Sequence, residues 1–125
     1  MGLAKIFIVE DEELFAILLK DFLARKTGQE ISLFTTGEAC LENLHQDPDI
    51  IILDYFLNSK EKNAENGLQI LRKLKSMGNK AHIIILSGQS EFGVAMQSRF
   101  EGAKHYVIKD DQAFERIELL VSQYL

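Results

Sequence analysis

Ile50, Ile51, Ile52 and Leu53 form an apolar run with no polar alternation, and this run constrains the fold more than any other feature of the chain. A strand whose two faces are both apolar must be covered on both. That happens in parallel sheets, whose crossover helices lie on either side. The run ends on a carboxylate, Asp54, within "DIIILDYFL". A lone Asp in that place has an ordinary explanation as a turn former or helix cap. Whether it means more depends on how the other strands end.

The alternation of apolar runs with helical patterns is continuous. Lys5–Val9 reads as a strand, and "EELFAILLKDFLARK" places Phe15, Leu18, Leu19 and Phe22 at helical spacing. "EISLFTT" predicts a second strand and 37–45 a short helix; 49–54 is the third strand. After the polar stretch "NSKEKNAEN", residues 67–77 predict a helix with Leu68, Leu71 and Leu74 in register. "AHIIILSG" is the fourth strand, 91–100 a helix and "KHYVIK" the fifth strand. A last helix is expected to bury Ile117, Leu120, Val121 and Tyr124. Strands alternating with helices in this way imply a parallel sheet with right-handed crossovers. The expected fold is α/β, a doubly wound five-stranded parallel sheet of order 2-1-3-4-5, flavodoxin-like, with helices on both faces. With 125 residues and neither repeat nor linker, one domain over 1–125 is expected, large enough for its own core.

In such sheets the ligand site lies beyond the carboxyl ends of the strands, where strand order reverses. Strand one ends in Glu10 and Asp11, strand three in Asp54, strand four in Ser87 and strand five in Lys109. Three acids, a hydroxyl and an ammonium therefore converge on one crevice. Like charges about 5 Å apart repel by roughly 3 kcal/mol at an effective dielectric near 20, so such a cluster calls for a cation. Hard carboxylate oxygens suit Mg²⁺. Lys109 then offers a point charge to an anion beside the metal, phosphate above all, and a carboxylate can itself be the nucleophile that becomes an aspartyl phosphate. Each residue alone has a plain alternative: Asp11 as a helix cap, Glu10 as a solvated strand end, Ser87 before Gly88 as turn chemistry, Lys109 as a surface lysine. The signal lies in their coincidence at four strand ends.

These residues carry a resemblance over essentially the whole chain to the receiver domain of two-component response regulators. "IFIVEDE" resembles the acidic-pair motif, "IIILDYFL" the phosphoacceptor motif, "IIILSGQ" the hydroxyl motif and "GAKHYVIK" the closing strand. The resemblance implies a phosphorylation switch in which Asp54 accepts a phosphoryl group from a sensor histidine kinase or a histidine phosphotransfer protein. It implies Mg²⁺ bound by Asp11, Asp54 and the backbone carbonyl of Phe56, with Glu10 reaching it through water. Ser87 and Lys109 would hold the phosphoryl oxygens. Tyr106 would turn inward on activation and reshape the surface of the fourth helix (91–100), fifth strand and last helix, which an output partner or output domain would read; a homodimer is a further possible partner. Such a chain is no enzyme beyond assisting phosphoryl transfer to its own Asp54 and the later hydrolysis. Two departures from the family's pattern stand out. Asn58 occupies a place where the family commonly has Pro, and Gly67 comes thirteen residues after Asp54, later than usual. Asp110 follows the lysine where the family favours Pro, often with a cis bond.

Two other functions remain to be weighed. A Mg²⁺-dependent phosphohydrolase with an aspartate nucleophile usually needs a second Asp two residues on as general acid, and Phe56 stands there. A pseudo-receiver would be a pure interaction module, and the intact Asp11, Asp54, Ser87 and Lys109 set argues against it. A net charge of −5 excludes a phosphate-backbone binder of the basic type. "GQSEFGVA" has the glycine spacing of a P-loop without the Lys and Ser/Thr that must follow. His45, His82 and His105 lack metal-ligand spacing, and packing or strand-edge roles are expected for the last two. Cys40 reads as a buried inert thiol, Asp110 and Asp111 as caps of the last helix. The amino end is too short in apolar residues for a signal peptide, and no segment approaches a membrane span, so a cytoplasmic location is expected. "NSKEKNAEN", with Ala as its one apolar residue, is expected to be mobile and to act as a lid over the acceptor or as a tolerated insertion.

Overall fold

The computed structural model describes residues 3–57, 62–88, 99 and 101–125. Its sheet has five parallel strands in the order β2-β1-β3-β4-β5: β1 (Lys5–Val9), β2 (Glu30–Phe34), β3 (Ile50–Asp54), β4 (His82–Ser87) and β5 (His105–Ile108). Register runs without a break at the switch point, with Val9 opposite Leu53 and Asp54 opposite Leu86. Helices α1 (Glu13–Thr27), α2 (Gly37–Glu42), α3 (Gly67–Ser76) and α4 (Ala113–Ser122) are described, with a 3₁₀ turn at Leu44–Gln46 completing the stretch after α2. The helix expected over 91–100 lies outside the described residues except at Arg99, as does Asn58.

All of β3 is buried, which is what an apolar run without alternation requires. Strand alternation sends Ile50 and Ile52 into a core shared with Ile6, Ile8, Leu19, Leu23, Ile117 and Val121, on the side of α1 and α4. Ile51 and Leu53 enter the opposite core with Phe7, Val9, Ile70, Leu71 and Leu74, on the side of α3. Each of these side chains, removed from water, contributes about 1.5–3 kcal/mol.

Two helix expectations need correction. In α1 the buried positions are Ala16, Leu19 and Leu23; Phe15 and Phe22 are partly covered, while Leu18 is 50% exposed, with Leu14 and Ile17 beside it at 71% and 55%. Apolar residues run almost all round this helix, so period alone could not select its inner face. In α4 the N-cap is Gln112, without a side-chain cap. Asp110 does the work from two residues upstream, its carboxylate accepting from the Gln112 N–H at 2.9 Å and from Arg116 Nη1 at 2.9 Å. Those two donors, in that order, hold its carboxyl below the ordinary range.

Where the chain returns from the polar stretch, its described part is tied down. Glu65 N donates to Glu38 Oε2 at 3.1 Å, and Lys73 pairs with Glu65. Asn66 and Gln69 form a reciprocal capping box that starts α3. Gly67 N donates to Tyr55 O at 2.7 Å. A Cβ on Gly67 would overlap the carbonyl oxygen of Asp54 and stand 2.8 Å from Tyr55 Cα. Only glycine permits that approach, so the late-arriving Gly67 seats α3 directly on the backbone that carries Asp54.

Candidate functional site

The strand ends place Glu10, Asp11, Asp54 and Ser87 together at the carboxyl edge of the sheet, and all four are buried. Glu10 extends the β1–β2 ladder through its N–H to Phe34 O, 2.9 Å. Its Oε2 accepts from Glu12 N at 3.0 Å, which fixes the turn into α1. The N-cap of α1 is Glu12 rather than Asp11, and it makes no side-chain cap. Asp11 presents a carboxylate oxygen to the cluster. Lys109 N donates to Ser87 O at 2.8 Å, holding the end of β5 against the end of β4. The Lys109–Asp110 peptide bond is trans.

Glu10, Asp11 and Asp54 each present an oxygen within 4.8 Å of the others. Lys109 Nζ reaches in from the side, 2.6 Å from Glu10 Oε1, 3.6 Å from Asp54 Oδ1 and 3.7 Å from Glu12 Oε1. It also sits 4.7 Å from the centroid of the Phe15 ring, which shields it on one flank. One ammonium does not satisfy three acids. Among the described residues Asp54 Oδ1 and Glu10 Oε1 are buried oxygens without a hydrogen-bond partner, and Glu10 Oε1 has only its ion pair with Lys109.

The electrostatics follow from this shortage. Burial, then the charge of Glu10, push the Asp54 carboxyl up to about 8 against the opposing pull of Lys109, and Asp11 adds to the rise. Burial alone would lower the Lys109 ammonium. The close ion pair with Glu10 and the charges of Asp54 and Glu12 outweigh it and raise its pKa. A site that forces an acid to hold its proton at neutral pH while leaving carboxylate oxygens unpartnered fits a hard divalent cation.

Sheet alternation divides the remaining residues. Asp54 continues the Ile50–Ile52 side, toward α1, whereas Ser87 continues the Ile83–Ile85 side, toward α3. Tyr106 is opposite Ile85 in register and packs against that second core, half-buried, so it is a diagonal neighbour of Ser87 on one face. Phe56 is exposed, its ring edge-on to Tyr55 at 4.8 Å. Glu12 was not singled out from sequence and Phe15 only as a position of the helix pattern, although both contact Lys109. The third acid of the "EDEE" run was the available signal for Glu12; a cation–ring contact across the fold leaves none for Phe15.

The other titratable candidates are structural. Cys40 is buried, and burial pushes its thiol up to about 12. His82 stacks on the Tyr124 ring at 3.8 Å and His105 Nε2 is 2.7 Å from Tyr124 Oη, so both pack as expected. His45 is exposed in the 3₁₀ turn. No helix among the described residues is long and apolar enough to cross a membrane.

Residues 6–120 match the model of the response regulator receiver domain. The chain is 29% identical over 121 residues to the transcriptional regulatory protein MalR of Bacillus subtilis, covering 95% of this chain and 49% of that protein. It thus spans about half of MalR. It is 22% identical over 117 residues to the chemotaxis protein CheY of the same organism, covering 93% of each. Its backbone superimposes on the phosphorylated cyanobacterial phytochrome response regulator RcpA with a TM-score of 0.84 at 23% identity, over 98% of this chain and 94% of that one. The sheet order 2-1-3-4-5 and an acidic pocket of the kind at which these domains typically bind Mg²⁺ agree with that match. With the family model matching residues 6–120, the chain belongs to the receiver domains of two-component response regulators.

Proposed function

We propose that, in the phosphorylation-dependent signalling switch this family constitutes, Asp54 is the phosphoacceptor of a single domain spanning 1–125. The observation that carries the reading is the buried Asp54 Oδ1, without a hydrogen-bond donor, in a cluster with Glu10 and Asp11 and 3.6 Å from Lys109 Nζ. Asp11, Asp54 and the Phe56 carbonyl would hold Mg²⁺, with Glu10 reaching it through water. The ion would supply positive charge that displaces the proton from Asp54 and offsets the charge of the incoming phosphoryl group.

The ionised Asp54 oxygen attacks the phosphorus of a phosphohistidine on a kinase or phosphotransfer protein. A P–O bond forms as the P–N bond breaks, and the imidazole nitrogen leaves with the bonding pair and takes up a proton. Lys109, held by Glu10, and the Ser87 hydroxyl hold the phosphoryl oxygens. The chain is a switch with no small-molecule substrate, and its chemistry ends with hydrolysis of its own acyl phosphate. Ser87 and Tyr106, neighbours on the α3 face, pass the change to the surface around β5 and α4, where an output partner or attached output domain reads it. Phosphohistidine donors and an inert lone thiol are consistent with work in the cytoplasm.

Acetyl phosphate with Mg²⁺ tests the assignment. Wild-type protein should gain one phosphoryl group, labile to base and hydroxylamine, and Asp54→Asn should gain none. Labelling of Asp54→Asn as strong as wild type would end it.

A further inference from the structure

The amino ends of β4 and β5 lie at the edge of the sheet opposite Asp54. A cavity of about 140 Å³ opens there, and every charged residue lining it is basic: Lys75, Lys80 and Lys104, with His82 beside them. The chain carries a net charge of −5, so this is no spill-over from a generally basic surface. Neighbouring cations on the same helix are neutralised, Arg72 by Glu101 and Lys73 by Glu65. Among the described residues no carboxylate pairs with Lys75, Lys80 or Lys104.

Lys75 is also placed rather than loose. Its stem crosses the bare backbone of Gly102, where a Cβ would stand 2.5 Å from Cε and 3.1 Å from Cδ. Gly102 has φ 110°, a conformation L side chains rarely adopt, so glycine both makes the turn and leaves the groove for the lysine. Burial, then the positive charges of Lys104, His82 and Arg99, lower the His105 pKa.

We propose that this cavity is a binding site for a compact multivalent oxyanion of the phosphate or pyrophosphate class, separate from the phosphoacceptor. Water occupies about 30 Å³ per molecule in the liquid, so the space has the size of one such anion with a little solvent. Three ammonium groups supply charge-assisted donors. His82 links the site to the carboxyl end of the chain, because its ring stacks on Tyr124 at 11° and Tyr124 in turn holds His105.

The test is a titration of metal-free protein with pyrophosphate, and separately with inorganic phosphate, followed by NMR of the backbone and the histidine rings at constant ionic strength. Saturable shifts should concentrate at Lys75, Ala81, His82, Gly102 and Lys104. Loss of one charge-assisted contact should weaken binding about tenfold, so Lys80→Ala and Lys104→Ala should each do so, while Lys80→Arg should stay within about threefold. These lysines are exposed, so the variants are expected to fold. Shifts that rise linearly, that spread equally over remote lysines such as Lys20 and Lys26, or that chloride reproduces would overturn the site. Unchanged affinity in both alanine variants would overturn it as well.

Discussion

Asp54 offers a measurable cost in the metal-free protein. Its folded pKa is about 8 against an ordinary 3.8, a gap of about four units worth roughly 1.4 kcal/mol each. A raised folded pKa contributes stability that is complete below the unfolded value and is lost as pH climbs through the folded one. Asp54 is buried, so solvent screening does not discount this. The Asp54→Asn variant is neutral in both states and escapes the loss. Between pH 5.5 and 8 the unfolded carboxyl is ionised throughout while the folded one ionises only near the top, so the mutant's advantage should grow by about 3 kcal/mol. For a domain of this length that is a difference in Tm of roughly 10 °C. Paired urea titrations in EDTA at the two pH values read the difference for the cluster of Asp54 with Glu10 and Asp11, with carboxylates outside it cancelling between the proteins. Saturating Mg²⁺ should shrink the gap by favouring the ionised carboxylate in wild type. A mutant advantage that stays flat with pH would refute the claim that Asp54 is protonated at neutrality.

Gly67→Ala should destabilise by about 2–3 kcal/mol, the upper range of overpacking, because the new methyl meets backbone that has nowhere to move; it should also slow acetyl phosphate labelling, and wild-type melting would show that α3 is not seated as described. Structures with and without a beryllofluoride mimic should differ in the Tyr106 rotamer, and an identical ring in both would sink the Ser87–Tyr106 coupling.

The sheet was legible because its three central strands are buried runs: "KIFIV", "IIILD" and "HIIILS" have no helical reading that also explains their spacing. The acid cluster was legible for the same reason, since strand ends in a known order have known neighbours. The inner face of α1 was not, because Leu14, Phe15, Ile17, Leu18 and Leu19 circle the helix and tertiary packing alone decides which go in. The capping of α4 was half visible: Asp110 was named, but the bond it makes two residues outside the helix belongs to local loop geometry. Gly67 shows a different limit. Its distance in sequence from Asp54 looked like a departure, yet it occupies the close approach that only glycine allows, and the extra residues sit before it.

The two faces of the sheet divide this site into separate economies of charge and shape. On the α1 side lie Asp54, the proposed acceptor, and Lys109, ion-paired with Glu10; on the α3 side lie a hydroxyl and a half-buried ring. A strand only five residues long is the wall between them. Under the proposed assignment, substitutions on the first side would retune how fast the domain is loaded and unloaded, and substitutions at Tyr106 on the other which conformation is displayed. Rate and message would then be tuned from different faces of one small protein, meeting where Gly67 touches the backbone of Asp54 and at the rim where Ser87 stands.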